Sequence, residues 1–399
     1  MTLQEFHQQM QELLYLEDLQ MVDIVLASII SNSLQIGDPV WLTLIGPSSG
    51  GKSQLIRPFA MANPDYIHQV DDLTDNTFIS GTLGLENSLL GRIKEAGIIS
   101  MDDLTVLFSK NAEQRAAILS QFRMLYDGRF SKSTGNRKEA MEWRGHVGMI
   151  AGSTPSIYRY FSEVADMGER FISYRMKSIH IQKAVEFVSA HPHTAKNLNG
   201  QIADLIKDFL PPLLASLPEP KYRPKLSEDT ILVIQEAAQL CTLLRTPIHL
   251  DERSFLVDEF PEPEMPFRVM KQLTYLAQGL QYLQDDPAAP LSEHHHNALR
   301  WVAYSLANDK RRAYIRAIAA LDYHGANITT RNVSATTGLH NDIVARGLSQ
   351  FQALKIISLT HEEDGGRREY RINNQKLCRF VREIEKENLD ITIKSDHEM

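Results

Sequence analysis

Val40-Trp-Leu-Thr-Leu-Ile-Gly46-Pro-Ser-Ser-Gly-Gly-Lys52-Ser53 decides how this chain folds. Its first six residues form a short apolar run, which suits a strand buried on both faces of a parallel sheet. The next eight, Gly46, Pro47, Ser48, Ser49, Gly50, Gly51, Lys52 and Ser53, match G-x-x-x-x-G-K-[ST] in full. The glycines let the backbone turn tightly. The turn and the following helix start then aim their N–H groups at one point, an anion nest that suits phosphates. Lys52 is positioned to reach β- and γ-phosphates, and the Ser53 hydroxyl to ligate Mg²⁺. The match therefore implies ATP and Mg²⁺ as cofactors. A chance glycine-rich turn would need neither the strand before it nor the helix after it.

Working outward, Tyr66–Val70, Gly97–Met101 and His146–Ala151 read as further strands. Helical stretches at Lys52–Met61, Glu86–Ala96 and Ala112–Leu125 separate them. Strand–helix alternation predicts an α/β fold around a parallel sheet. Residues 2–34 read as two helices ahead of it. Gly97-Ile-Ile-Ser-Met-Asp102-Asp103 is an apolar strand ending in two carboxylates. In one register Asp102 holds the Mg²⁺ and Asp103 orients the attacking water. In the other, Asp103 serves the metal and Leu104 fills the base position.

Together these residues resemble the AAA+ class of P-loop ATPases, and the likeness extends over about residues 19–285. It implies an ATPase that assembles through its nucleotide interfaces, expected as a hexameric ring. His146-Val-Gly-Met-Ile-Ala-Gly-Ser-Thr154 is similar to the strand whose terminal polar residue reads the γ-phosphate, with Thr154 first and Ser153 second for that role. Met167-Gly-Glu-Arg170-Phe-Ile-Ser-Tyr-Arg175 is similar to the segment carrying an arginine donated to a neighbour's nucleotide. Arg170 is the first choice there and Arg175 the second. Residues 183–285 correspond to a helical lid, from which Arg268 would reach the γ-phosphate, with Lys271 on the same face. Between Asp103 and Thr154, Tyr126–Trp143 reads as two short strands around a polar turn. It resembles the hairpin that replicative MCM-type helicases project into a ring channel. Lys132, Arg137 and Lys138 near its tip are the basic residues a DNA backbone would contact.

Asp285-Asp-Pro-Ala-Ala-Pro290 reads as a linker. His294-His295-His296 could form a metal cluster, but three adjacent residues cannot share one helix face, so a polar linker or helix start is the expected reading. Residues 309–387 then give a helix, a helix–turn–helix and a hairpin, which resembles a winged-helix domain. Thr330 is expected to cap its second helix, and Asn341 or Asp342 its third. Thr330, Arg331, Asn341 and Arg346 are candidate DNA contacts, with Arg367 and Arg368 on the wing. Such modules also bind proteins. The expected division is a nucleotide-binding core with its N-terminal helices over 1–182, a lid over 183–285, a linker and helix over 286–308, a winged helix over 309–387 and a tail over 388–399.

The whole chain has 399 residues and a net charge of −8, which argues mildly against nucleic acid. The charge is unevenly spread, however. Residues 309–382 carry 13 Lys and Arg against 7 Asp and Glu, a local +6 that leaves −14 elsewhere. No run approaches the roughly 18 apolar residues of a membrane span. The N-terminus lacks a signal-peptide layout. The two cysteines, Cys241 and Cys378, form no disulfide framework. A cytoplasmic protein is expected. The resemblance implies a DNA-directed motor, such as a helicase or translocase of a phage or mobile element. It is also compatible with an ATP-switched initiator, loader, target selector or anti-phage ATPase, or with a protein-remodelling ATPase.

Overall fold

The structure, a computed structural model, describes residues 1–74, 76–80, 84–133, 140–160, 170–191, 197–217, 223–248, 261–362 and 368–385. Two helices, α1 (Leu3–Leu13) and α2 (Leu19–Ser33), precede β1 (Trp41–Ile45) and α3 (Lys52–Ala62). Next come β2 (Ile67–Gln69), α4 (Leu89–Ile93), β3 (Ala96–Met101), α5 (Thr105–Phe108) and α6 (Ala112–Tyr126). A hairpin of β4 (Arg129–Lys132) and β5 (Met141–Arg144) leads to β6 (His146–Ser153) and then β7 (Phe171–Arg175). Five helices follow: α7 (Ile181–Ala190), α8 (Leu198–Ser216), α9 (Glu228–Arg245), α10 (Phe267–Gln281) and α11 (Glu293–Ser305). The last elements are α12 (Asp309–Tyr323), β8 (Ile328–Thr329), α13 (Thr330–Thr337), α14 (Asn341–Ala353), β9 (Ile357–Glu362), β10 (Arg368–Ile372) and α15 (Gln375–Ile384).

The chain divides into two compact units. One holds residues 1–234 and 268–302, the other 235–267 and 303–399. Of the residues expected as a lid, 183–234 and 268–285 fall in the unit that holds the sheet and 235–267 in the other. Phe209 of α8 stacks on Phe6 of α1 at 4.5 Å. Gly279 of α10 passes so close to α2 that a Cβ there would lie 2.4 Å from the Ala27 carbonyl oxygen. The Ser31 hydroxyl donates to the Tyr275 carbonyl at 2.6 Å. Such close packing ties α8 to α1 and α10 to α2.

The first unit is built on a five-stranded parallel sheet in the order β2-β3-β6-β1-β7. β1 is buried along its whole length, as a strand covered on both faces must be. Trp41 packs against Phe122, Tyr126 and Phe171 at ring separations of 5.0–5.4 Å. Emptying an aromatic site of this kind costs about 3–5 kcal/mol. From β1 the chain runs out to edge strand β2, returns through β3 and β6, and passes beyond β1 to β7. Ile45 pairs with Ser153 on one side and with Arg175 on the other, so these three strands end level. Ligands of open parallel sheets bind beyond such carboxyl ends, where the strand order changes direction.

Helix α2 is buried from Met21 to Asn32, which accounts for its broad apolar face. Asn32 ties it to the sheet. Its Nδ2 donates to the Val40 carbonyl at 3.0 Å and its Oδ1 accepts from the Val40 N–H at 2.9 Å. His146, at the start of β6, faces the same oxygen at 3.2 Å. Burial pushes the His146 pKa from 6.5 down to about 4, with Asp38 opposing the shift. A histidine held neutral in the fold takes its proton first in the unfolded chain. Its contribution to stability is therefore complete above pH 6.5, declines as pH falls toward 4, and changes no further below that. Urea midpoints at about pH 7 and about pH 5 should drop less in His146→Gln than in the native chain. Equal drops would remove His146 as the cause.

In the second unit, β8, β10 and β9 form an antiparallel sheet in that order. Helix α13 is capped by Thr329, one residue before the expected Thr330, and its hydroxyl accepts from the Asn332 N–H at 3.1 Å. Helix α14 is capped by His340 rather than Asn341 or Asp342. In both cases the backbone enters the helix one residue earlier than the side-chain pattern suggests. Gly338 turns the chain between the two helices with φ +70°, as expected. Gly347 lets α14 approach α12, because a Cβ there would lie 2.2 Å from the Tyr314 ring. Among the described residues no helix is long and apolar enough to cross a membrane.

Candidate functional site

The loop from Gly46 to Gly51 leaves the carboxyl end of β1 and enters α3. Gly51 takes the left-handed conformation, φ +84°, which only glycine adopts freely. Ser49 is left-handed too, φ +60°, an uncommon setting for a residue with a side chain. Backbone held in this way clusters at ligand sites. The Gly46 N–H donates to the Ser153 carbonyl at 3.1 Å, which anchors the loop to β6. Gly46 also admits Met176, whose sulfur would lie 2.6 Å from any Cβ at that position.

Lys52 is the first residue of α3 and is 7% exposed. Its ammonium donates to the Gly46 carbonyl at 2.9 Å and to the Pro47 carbonyl at 2.6 Å, so it lies within the loop's own turn. Burial lowers its pKa, and the Asp103 carboxylate pulls it back up. The N–H groups of Lys52, Ser53 and Gln54 open the helix, where no preceding turn can accept from them. A fixed cation and a helix N-terminus thus converge on one concave turn, an arrangement that holds anions.

Asp102 and Asp103 follow the end of β3 and differ in their surroundings. Asp102 is bound by Arg57 of α3 and accepts from the Gln69 Nε2 at 3.3 Å. Ser100 in turn donates to Gln69 at 3.0 Å. Asp103 accepts from the Thr105 N–H at 2.9 Å and from its hydroxyl, and it is the carboxylate whose field acts on Lys52. Nothing in the sequence pattern marks Arg57 or Gln69 as partners of Asp102, since they come from separate elements. Gly152 of β6 keeps this corner tight, because a Cβ there would meet the Asp102 carbonyl at 2.2 Å.

Thr154 follows the last residue of β6, the strand that lies between β1 and β3. That position puts it between the loop and the carboxylate pair. Its hydroxyl is 2.6 Å from that of Ser156. The buried Ser153 hydroxyl donates to the Thr154 carbonyl at 3.3 Å. Arg175 ends β7, level with Ile45 at the loop, and its guanidinium lies 4.8 Å from the centre of the Tyr158 ring.

Arg170 and Arg268 lie elsewhere. Arg170 precedes β7 at the end where Phe171 pairs with Trp41, about 13 Å along the sheet from the loop at ~3.3 Å per residue. It contacts Asp127 at 3.4 Å and the Tyr126 ring at 5.3 Å. Arg268, in the first turn of α10, acts with Arg170 on the Tyr126 hydroxyl. Burial and Asp38 push that hydroxyl up, and the two arginines oppose them. Lys271 pairs with Asp38 at 3.4 Å. Both arginines therefore sit at the amino end of the sheet, and Arg268 does not reach the loop of its own chain as a lid residue would.

Lys132, at the end of β4, donates to Asn76 at 2.7 Å and to the Ile79 carbonyl at 3.1 Å. Arg137, Lys138 and Arg367 lie outside the described residues. Arg331, Asn341, Arg346 and Arg368 are exposed in the second unit. His294, His295 and His296 open α11, and two of the three face a buried aspartate, Asp23, of α2. No known family's model matches the sequence, and no curated protein matches it.

Proposed function

We propose that this chain is a P-loop ATPase of the AAA+ type that binds Mg-ATP at residues 46–53, hydrolyses it and acts on DNA. One observation carries the nucleotide reading. The buried Lys52 ammonium lies inside a left-handed glycine loop, beyond the carboxyl end of a central parallel strand. In this reading Lys52 holds the phosphates and Ser53 the metal. Thr154, between the loop and the carboxylate pair, faces the γ-phosphate. The opposite settings of the carboxylates support the second register. Asp103 acts on Lys52 and serves the Mg²⁺ shell, while Asp102 braces α3 through Arg57.

Arg170 and Arg268 share the amino end of the sheet, away from their own loop. A role for either at the phosphates requires a neighbouring copy, which favours self-association. Arg175 lies level with the loop of its own chain. The order helix, strand, helix, helix and two antiparallel strands in the second unit supports a winged-helix domain. Its exposed Arg331 and Arg346 suit phosphate contact. Binding of the full chain to duplex DNA should weaken steeply with salt. Arg331→Ala combined with Arg346→Ala should lower the slope of log K against log salt by about 2. A slope unchanged by the double substitution would move the contact off this surface.

Lys132 favours a second reading, an ATP-switched DNA-binding protein that does not translocate. Its ammonium is engaged by Asn76 and Ile79 rather than directed outward. ATPase rates with and without single- and double-stranded DNA separate the two readings. A motor is stimulated by DNA, whereas a switch turns over slowly and binds DNA only with ATP present.

A further inference from the structure

We infer that Asp23, His294 and His295 form a binding site for a divalent transition-metal ion of the zinc class, with His7 supporting the carboxylate. Asp23 sits on α2 with no exposed surface. Its Oδ1 meets His7 Nε2 at 2.7 Å and its Oδ2 meets His294 Nε2 at 2.9 Å. His295 directs Nε2 at the same Oδ2 from 3.7 Å, beyond hydrogen-bonding reach. The three candidate donor atoms of Asp23, His294 and His295 lie within 4.8 Å of one another.

His295 is the unexplained member. Its side chain is 6% exposed, its Nδ1 has no hydrogen-bond partner, and its Nε2 points at an oxygen it does not bond. Buried polar groups are nearly always satisfied, so this one calls for a partner. An ion among the three donors would engage Nε2, which makes no bond of its own at 3.7 Å, with the ring proton on Nδ1. Zinc binds imidazole nitrogen at about 2.0–2.1 Å and carboxylate oxygen at about 2.0–2.2 Å, which spaces tetrahedral ligand atoms roughly 3.3–3.5 Å apart. The observed 2.9 and 3.7 Å straddle that spacing.

The donor set chooses the ion. Two imidazoles and one carboxylate suit zinc and its first-row neighbours, whereas Mg²⁺ and Ca²⁺ take oxygen ligands. The site is therefore separate in kind from any Mg²⁺ held with ATP, and it shares no residue with the loop at 46–53. His7 fixes the second carboxylate oxygen, as partners of metal ligands commonly do. His296 turns away to the Thr230 hydroxyl at 2.9 Å, so adjacent histidines need not share a face for two of them to converge. The ion would join α1, α2 and α11 at one point, across 271 residues of sequence between Asp23 and His294.

The test uses the tag-free full chain, stripped with chelator and then titrated with zinc. About one zinc per chain should remain after desalting, measured by elemental mass spectrometry, and the melting temperature should rise with added zinc. Cobalt(II) should give the intense visible bands of a tetrahedral site. His295→Gln should lose all three signals while keeping the native circular dichroism. If that buried substitution prevents folding, His294→Ala decides, because the His294 side chain is 45% exposed and its removal leaves no cavity. Zinc content and melting shift unchanged in His294→Ala would overturn the site. So would a native chain that retains no zinc, which would leave Asp23 as a hydrogen-bonded partner of its histidines.

Discussion

Changing Lys52 to alanine is expected to weaken Mg-ATP binding roughly ten- to hundredfold, the loss of a charge-assisted contact worth about 1.5–3 kcal/mol. Turnover should fall further, by about 10²–10³, because the ammonium also stabilises charge that develops during transfer. Lys52 lies inside the loop itself. Its side chain is buried in the turn of Gly46 and Pro47 rather than paired with a carboxylate. The fold itself should survive, since those two hydrogen bonds belong to the loop and not to the sheet. Titration calorimetry with a slowly hydrolysed ATP analogue reads the affinity, and a melting curve reads the fold. Native affinity in Lys52→Ala would remove the loop from the account.

Asp103→Asn is expected to reduce turnover by about 10²–10³, the loss of a carboxylate that holds the metal against developing charge. Asp102→Asn is expected to change it by less than about tenfold, since it weakens a partly exposed pair with Arg57 of a kind worth about 0.2–1 kcal/mol. The asymmetry follows from their neighbours. Asp103 acts on Lys52, and the Arg57 side chain that holds Asp102 is itself 52% exposed. Steady-state ATPase rates at saturating Mg²⁺ compare the two variants directly. An equal or larger loss at Asp102 would return the metal to Asp102 and the water to Asp103.

Much of the first unit was legible because its signals are local. Gly46–Ser53 carries its own turn chemistry, and the apolar runs ending at Ile45, Met101 and Ala151 mark β1, β3 and most of β6. β7 was harder to read. Phe171–Arg175 lies between two arginines that draw attention as functional residues, while the burial of Ile172 and Tyr174 that makes it a strand comes from tertiary packing. The helix from Glu86 to Ala96 shortened to Leu89–Ile93, where Ser88 caps it and accepts from the Gly91 N–H. The position of Arg268 was not legible at all. A basic helix start looks the same at either end of a sheet, and only the packing of α10 on α2 sets the end. The histidine triplet stood out in the sequence, but its partner Asp23 did not, since only the fold brings Asp23 to 2.9 Å from His294.

The measurement that bears most directly on the account is phosphate release from ATP by the purified full chain, with Mg²⁺ present and with Mg²⁺ chelated, beside Lys52→Ala. Release should require Mg²⁺ and fall by about 10²–10³ in the variant. Release near the native rate in Lys52→Ala, or a native chain that neither binds nor hydrolyses ATP, would contradict this.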